Sequence, residues 1–405
     1  MSKIIIFTAS FPFGVKETYL EEEVKILSEN FDEIIIYPHY YGNKDTTQRI
    51  VPKNVKVKKP VLPVSKYKRL FQSFKGLFKS PKLGVFIQDF YQKKVYLSFD
   101  YFKRWLLTLI EYLSTIGSSR FKDIAKFNNE TLYFYWGSGW ALSILNIKNQ
   151  FHNKIFLRLH GGEVFLDRSN GYIPIRHQIF NKVDIFLPIS KILAEYLKTI
   201  YFVTETKIKL SYLGVRNKNR FNPINKSEEI VITSCSNVIA LKRLDLLISA
   251  LVDIKEKQIT WVHFGDGPLL KNIINLSEIK LPKNIKFNSE GRVPNDNILK
   301  FYQDQNIDAF VNLSKHEGLP VSVMEAMSFG IPAIATNVGA TCELVNDKNG
   351  LLLDEDFNIE ILKAGLLNLK NPEWIDKRIK AKEICSTTFD SEINYNQLSK
   401  VLKTK

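Results

Sequence analysis

The run Ala309-Phe310-Val311-Asn312-Leu313 and the segment that follows it, Glu317-Gly318-Leu319-Pro320-Val321-Ser322-Val323-Met324-Glu325, decide how this chain is read. A short apolar run bounded by polar residues predicts a buried strand. The next segment predicts a helix over 320–329, which Gly330-Ile331-Pro332 ends. In open parallel sheets ligands bind beyond the carboxyl ends of strands, and a helix N-terminus offers N–H groups and positive partial charge to a phosphate. Glu317 at the strand end and Glu325 inside the helix would then flank a nucleotide. Taken alone, Glu317 reads better as a first-turn acid that favours the helix dipole. Glu325 sits among Val323, Met324, Ala326 and Met327, where an unpaired carboxylate is costly, and that favours a functional role.

The same alternation of strand and helix extends in both directions. Strands are predicted at 230–235, 260–264, 285–288, 308–313 and 333–335 on the C-terminal side. On the N-terminal side they are predicted at 3–7, 33–37, 132–135, 154–159, 184–189 and 208–212. Leu20, Val24 and Leu27 give a helix over 17–30. Residues 39–62 read as irregular and proline-punctuated, and 65–128 as helices rich in Lys and aromatic residues. A polar stretch at 216–229 reads as a linker. The expected fold class is therefore α/β, with two doubly wound domains at 1–215 and 230–385. A closing helix is expected within 386–405, with Ile393, Leu398, Val401 and Leu402 as its apolar positions, packing back on the N-terminal domain.

Composition excludes several classes. With 405 residues, 45% hydrophobic and 24% charged, the chain is neither disordered nor fibrous. Three cysteines, Cys235, Cys342 and Cys385, make neither a disulfide framework nor a zinc spacing, which fits a reducing cytosol. After Met1-Ser2-Lys3 the apolar run Ile4-Ile5-Ile6-Phe7 is too short for a signal-peptide core, and no 18 apolar residues run together. A secreted or membrane-spanning protein is not expected.

Charge is the anomaly. There are 57 Lys and Arg against 42 Asp and Glu, a formal +15, with a pI near 9.4. Residues 51–126 hold 17 basic and 4 acidic side chains, +13 of that total. The balance predicts a polyanionic partner: nucleic acid, an acidic membrane surface or a phosphorylated substrate. Residues 67–82 place Tyr67, Leu70, Phe71, Phe74, Leu77 and Phe78 on one helical face and Lys68, Gln72, Lys75, Lys79 and Lys82 on the other. Such a helix lies in an anionic interface or packs its aromatic face on the domain. Tyr101-Phe102-Lys103-Arg104-Trp105 extends the pattern. No nucleic-acid-binding motif accompanies the basic residues, so nucleic acid is not the expected partner.

Glu317 and Glu325 with seven residues between them, followed by Ala326-Met327-Ser328-Phe329-Gly330-Ile331-Pro332 and Asn337-Val338-Gly339-Ala340, resemble the E-x7-E signature of the retaining glycosyltransferase family 4. Further segments extend the resemblance. Residues 234–245, Ser-Cys-Ser-Asn-Val-Ile-Ala-Leu-Lys-Arg-Leu-Asp, resemble the family's first donor-domain strand and phosphate loop. Phe264-Gly265-Asp266-Gly267-Pro268-Leu269 resembles its G-x-G-P turn, and Gly291-Arg292-Val293-Pro294 the segment against the nucleotide base. Phe11-Pro12-Phe13-Gly14 is similar to the acceptor-domain glycine loop, and Arg158-Leu159-His160-Gly161-Gly162-Glu163 to the strand-end His-Gly motif. The resemblance covers most of residues 1–385 and is weakest over 40–130.

What the resemblance implies is specific. The fold would be GT-B, two Rossmann-like domains facing a cleft. The reaction would be retaining transfer of a sugar from a UDP- or GDP-sugar to a hydroxyl of a growing cell-surface glycan, without cofactor; the basic, aromatic segment adds the expectation of a lipid-linked acceptor at the inner face of the cytoplasmic membrane. Glu325 would hold the donor ribose and Glu317 would lie beside the donor sugar. The N–H groups of Gly318 and Leu319, together with Lys242, would meet the diphosphate. His160 would stand over the donor hexose, and Gly14 would let backbone approach the phosphate. Glu317, Lys242 and His160 would be catalytic; Asn237, Arg243, Arg292 and Val293 complete the donor set. Two positions depart from the family pattern. Asn237 replaces a common Arg, with Arg243 the neighbouring candidate to supply that charge, and Leu319-Pro320 replaces a common Phe-Gly pair. The remaining histidines, 39, 152, 177, 263 and 316, have no metal-ligand spacing. Asp354-Glu355-Asp356, the only D-x-D triplet, precedes an apolar-periodic segment and reads as helix-capping acids, so no metal is expected. A nucleotide-sugar 2-epimerase shares the architecture and stands as the alternative.

Overall fold

Runs of β-branched residues seed two separate sheets. In the computed structural model, which describes residues 2–15, 17–42, 46–79, 81–124, 126–147, 153–216 and 219–404, each sheet has six parallel strands. His152 of the histidine set and positions 217–218 of the polar stretch lie outside the described residues. The first sheet contains β1 (Lys3–Thr8), β2 (Glu33–Pro38), β3 (Val55–Val57), β4 (Thr131–Phe134), β5 (Lys154–Leu159) and β6 (Ile185–Pro188), in the order β3-β2-β1-β4-β5-β6. The second contains β7 (Ile230–Cys235), β8 (Ile259–Phe264), β9 (Ile285–Gly291), β10 (Ala309–Asn312), β11 (Ala333–Thr336) and β12 (Gly350–Leu353), in the order β12-β11-β10-β7-β8-β9. Both follow the doubly wound pattern, whose order reverses at β1/β4 and at β7/β10.

The chain divides into two units, residues 1–211 with 395–405, and 212–394. The first buries Ile4, Ile6, Leu20, Val24, Ile34 and Ile36 together with Tyr395, Leu398 and Leu402 of the last helix. That helix is Ser391–Leu402; Ile393 remains exposed while Tyr395 takes the inward face. A buried ion pair crosses this core: Arg158 Nη1 lies 2.9 Å from Glu23 Oε2, and both side chains are fully buried. The second unit centres on Ile230, Ile232, Trp261, Val311 and Ile334.

Several sequence expectations are corrected. No strand forms at 208–212. Lys209 and Ser211 donate to the carbonyls of Phe186 and Pro188, but the returning bond would have to come from Pro188, which has no N–H. Two short strands were not foreseen: β3, inside the proline-punctuated stretch, and β12. The polar stretch behaves as part of the second unit. Asn222 is buried, donating to the carbonyls of Tyr302 and Gln305 and receiving the Arg378 guanidinium. The acids 354–356 do not cap a helix: the cap of helix Ile359–Leu367 is Asn358, whose side chain accepts from Glu360 N. The helix expected over 67–82 is Lys66–Leu77, and a second starts at Leu83, so Lys82 is not on its face. No helix among the described residues is long and apolar enough to cross a membrane.

Candidate functional site

The site in the second unit grows from the point where its strand order reverses. β7 ends at Cys235 and the chain turns through Asn237 into a short 3-10 turn, Ala240–Lys242, before helix Leu244–Leu251. Beside it β10 ends at Asn312 and leads to Glu317 and helix Val321–Ser328. The two strand ends meet through side chains. Lys242 Nζ lies 2.6 Å from Glu317 Oε1, and Asn312 Nδ2 donates to the same oxygen at 3.2 Å. Both members of the ion pair keep some exposure, 22% and 14%, so the pair borders solvent. Gly318 and Leu319 lie at the entry to the helix, which is capped by Pro320 without a side-chain hydrogen bond; within its first turn Val323 N already donates to Pro320 O, so the N–H groups preceding it are the ones directed at the strand end. A cation, a carboxylate and helix N–H groups therefore converge where an anionic ligand of an open α/β sheet binds.

The loop after β7 is held by the turn after β8. Ser236 N donates to Phe264 O, Val238 N to Asp266 O, and Leu269 N to Val238 O. Gly265 adopts φ +143°, and a Cβ there would stand 1.8 Å from Ser236 O, so only glycine permits this approach. Arg243, at φ 48°, sends its guanidinium to three backbone carbonyls: Leu313 at 2.6 Å, Ser314 at 3.2 Å and Glu355 at 2.9 Å. It ties the β7 loop to the end of β10, which is a positioning task. Arg292 Nη2 donates to Asn237 Oδ1 at 3.3 Å, so these two donor-site candidates lie together at the surface, with Val293 next to them in the chain.

Glu325 lies one helical stretch beyond Glu317 and faces different surroundings. Its Oε1 accepts from Asn295 Nδ2 at 2.7 Å. The residue keeps partial solvent contact, yet burial around the carboxyl pushes its pKa up to about 7, against the pull of the Asn295 hydrogen bond. The same carboxylate, after burial itself, helps raise the Cys235 thiol to about 12. Glu325 is thus an acceptor without a cation, suited to hydroxyl donors such as a vicinal diol. Glu317 is an acceptor bound to one.

The candidates in the first unit stand apart in the chain. His160 follows β5 and its backbone N–H donates to Glu163 Oε1 at 2.8 Å. Its ring is 9% exposed, packs 4.1 Å from the Trp136 ring, and sets Nδ1 at a long 3.5 Å from Glu163 Oε1. Burial opposes ionisation of Glu163, but the His160 ring and N–H outweigh it and hold the carboxyl below its ordinary range. Gly14 has φ +71°, and a Cβ there would meet Gly42 O at 2.7 Å.

Three residues that the sequence reading passed over organise these sites. Glu17 accepts from the N–H groups of Ala9, Ser10 and Phe11 and from the Trp136 indole at 2.6 Å, fixing the loop before Gly14 and the ring beneath His160. Asn312 and Asn295 hold Glu317 and Glu325. A polar residue closing an apolar strand was the available signal for Asn312; Glu17 and Asn295 gave none, since their partners are distant in sequence or on the backbone. Among the described residues no group of three or more His, Cys, Asp or Glu side chains is arranged to hold a metal ion.

Residues 215–384 match the family described as Glycosyl transferases group 1. The chain is 26% identical over 246 residues to a putative colanic acid biosynthesis glycosyltransferase, WcaL, of Escherichia coli K12, covering 58% of this chain and 60% of that protein. The chain thus spans about three fifths of that relative's length. Among solved structures, the lipopolysaccharide outer core galactosyltransferase WaaB in its apo form superposes with a TM-score of 0.68 at 17% identity, covering 99% of this chain and 100% of that one. Anabaena Alr3699/HepE in complex with UDP and glucose superposes with a TM-score of 0.66 at 14% identity, covering 99% of each chain. The second unit therefore carries the match to the group 1 glycosyl transferases, and the chain as a whole has the GT-B fold of two Rossmann-like domains.

Proposed function

We propose that this chain is a retaining, metal-independent glycosyltransferase of polysaccharide biosynthesis. It moves a sugar from a nucleotide diphosphate-sugar to a hydroxyl of a growing, lipid-linked glycan at the inner face of the cytoplasmic membrane. The observation that carries the reading is the Lys242–Glu317 pair at the β7/β10 reversal, next to a helix N-terminus. In the reaction the bond from the anomeric carbon to the diphosphate breaks and a bond to the acceptor oxygen forms on the same face. The acceptor proton passes to the departing diphosphate. Charge develops on that leaving group, and the Lys242 ammonium with the N–H groups at Gly318 and Leu319 stabilises it electrostatically. Glu325 accepts from the ribose hydroxyls. The relatives named for colanic acid and lipopolysaccharide synthesis, and the neighbour bound to UDP and glucose, support the polysaccharide and donor parts of the reading.

The test is incubation of the full chain with a panel of UDP- and GDP-sugars, scoring thermal protection and hydrolysis for wild type and Lys242→Ala. One donor should protect and be slowly hydrolysed, and Lys242→Ala should weaken the protection and slow the hydrolysis about 10- to 1,000-fold. A donor whose sugar is converted to its 2-epimer without acceptor would select the epimerase. Protection by none would overturn the reading.

A further inference from the structure

Helix Lys66–Leu77 packs inversely to what an amphipathic pattern in water dictates. Its buried residues are Ser73 and Gly76, whereas Tyr67, Leu70, Phe71, Phe74, Leu77 and the capping Phe78 are exposed by 87%, 64%, 61%, 58%, 42% and 74%. The alternative in which this aromatic face packs on the domain is therefore not the arrangement adopted. The orientation is fixed by close contact with helix Phe99–Gly117. Ser73 Oγ and Ser114 Oγ are 2.6 Å apart, and Gln72 Nε2 donates to Ser114 O at 2.8 Å. A Cβ on Gly76 would come within 2.1 Å of Leu113 O, and one on Gly117 within 2.0 Å of Gln72 O. Rotating the aromatic residues inward would force these backbones apart.

About half of the large apolar side chains left exposed among the described residues fall between Val64 and Leu107. Scattered exposed apolar residues are ordinary, but a run of adjacent ones marks an interaction surface. Charge identifies the occupant. Residues 51–126 carry +13, and Lys75 Nζ stands 4.6 Å over the Phe71 ring. Partial desolvation, then the like charges of Lys122 and Lys75, hold the Lys79 ammonium below its ordinary pKa. A second copy of this chain would bring the same positive field against itself, and a nucleic acid would use the lysines but leave the aliphatic and aromatic residues wet.

We infer that residues 66–78 are an interfacial insertion element that seats the first unit on an anionic bilayer. Its six apolar side chains enter the boundary between headgroups and acyl chains, and Lys68, Lys75 and Lys79 lie at the level of the lipid phosphates. The inference deepens the proposed function, on which it rests only for the lipid-linked acceptor that the membrane would present.

The test is sedimentation of the full chain with vesicles of phosphatidylcholine alone or with phosphatidylglycerol added, at low and high salt. Wild type should pellet with the anionic vesicles at low salt and release as salt rises. Phe71→Ser with Phe74→Ser, both at exposed positions, should lower partitioning at least about tenfold with unchanged circular dichroism. Lys68→Glu with Lys75→Glu, which takes residues 51–126 from +13 to +9, should also lower partitioning and weaken the salt dependence. Donor hydrolysis, read in parallel, should be unchanged in both two-residue variants, so loss of membrane binding and loss of enzymatic activity are scored separately. The inference is overturned if wild type ignores anionic vesicles at low salt, if the Phe71/Phe74 variant binds as wild type, or if that variant instead halves the mass of a lipid-free dimer. Binding to single-stranded RNA in preference to vesicles would also overturn it.

Discussion

Replacing Glu325 by Gln should make the protein more stable and a poorer binder of its donor. The folded carboxyl has its pKa pushed from 4.5 to about 7 by burial, so it holds a proton more tightly than the unfolded chain does. Its contribution to stability is then greatest below pH 4.5, falls as pH rises toward 7, and is constant above. At about 1.4 kcal/mol per pKa unit the shift corresponds to about 3 kcal/mol, and partial solvent contact reduces the expectation to about 1–3 kcal/mol. The amide is neutral, nearly isosteric, and its oxygen can keep the Asn295 hydrogen bond. At pH 8 the variant should therefore gain about 1–3 kcal/mol over wild type, an advantage that vanishes near pH 4.5. Because hydrogen bonds to an ionised acceptor are roughly twice as strong as neutral ones, donor KM should rise about tenfold. Thermal unfolding from pH 4.5 to 8.5, together with donor titration, reads both effects. A variant that is less stable than wild type at pH 8 would refute the reasoning, because Glu325 would then be a satisfied carboxylate rather than one held against its burial.

Three further outcomes are expected. Lys242→Ala should lower kcat by about 10- to 1,000-fold, while excess EDTA leaves wild-type turnover intact; strict dependence on Mg or Mn would remove Lys242 as the main counter-charge. Glu317→Ala should lower kcat more than it raises donor KM, since its carboxylate is fixed to Lys242 at 2.6 Å, and equal KM effects with unchanged kcat would take it out of the chemistry. Glu23→Ala leaves the fully buried Arg158 guanidinium without its carboxylate, and chemical denaturation should show a loss of about 3–5 kcal/mol with donor binding by the second unit preserved.

The sequence by itself determined the strands with the clearest apolar runs, β1 and β2 among them, because a parallel strand buried on both faces reads as a near-continuous apolar stretch. It also placed Glu317 and Glu325 on one strand-loop-helix unit, since their spacing lies within a single local segment. What it did not contain was any fact that depends on residues distant in the chain. Lys242 and Glu317 are 75 positions apart, and only the adjacency of β7 and β10 makes them a pair. Arg243 reads as a spare cation until the end of β10 and the Glu355 carbonyl arrive to occupy it. For residues 66–78 the periodicity specified two faces but not which one would be buried. That choice fell to the tertiary structure, because Gly76 and Gly117 let two backbones approach closely enough for the small polar face to pack, and the aromatic face was left outside.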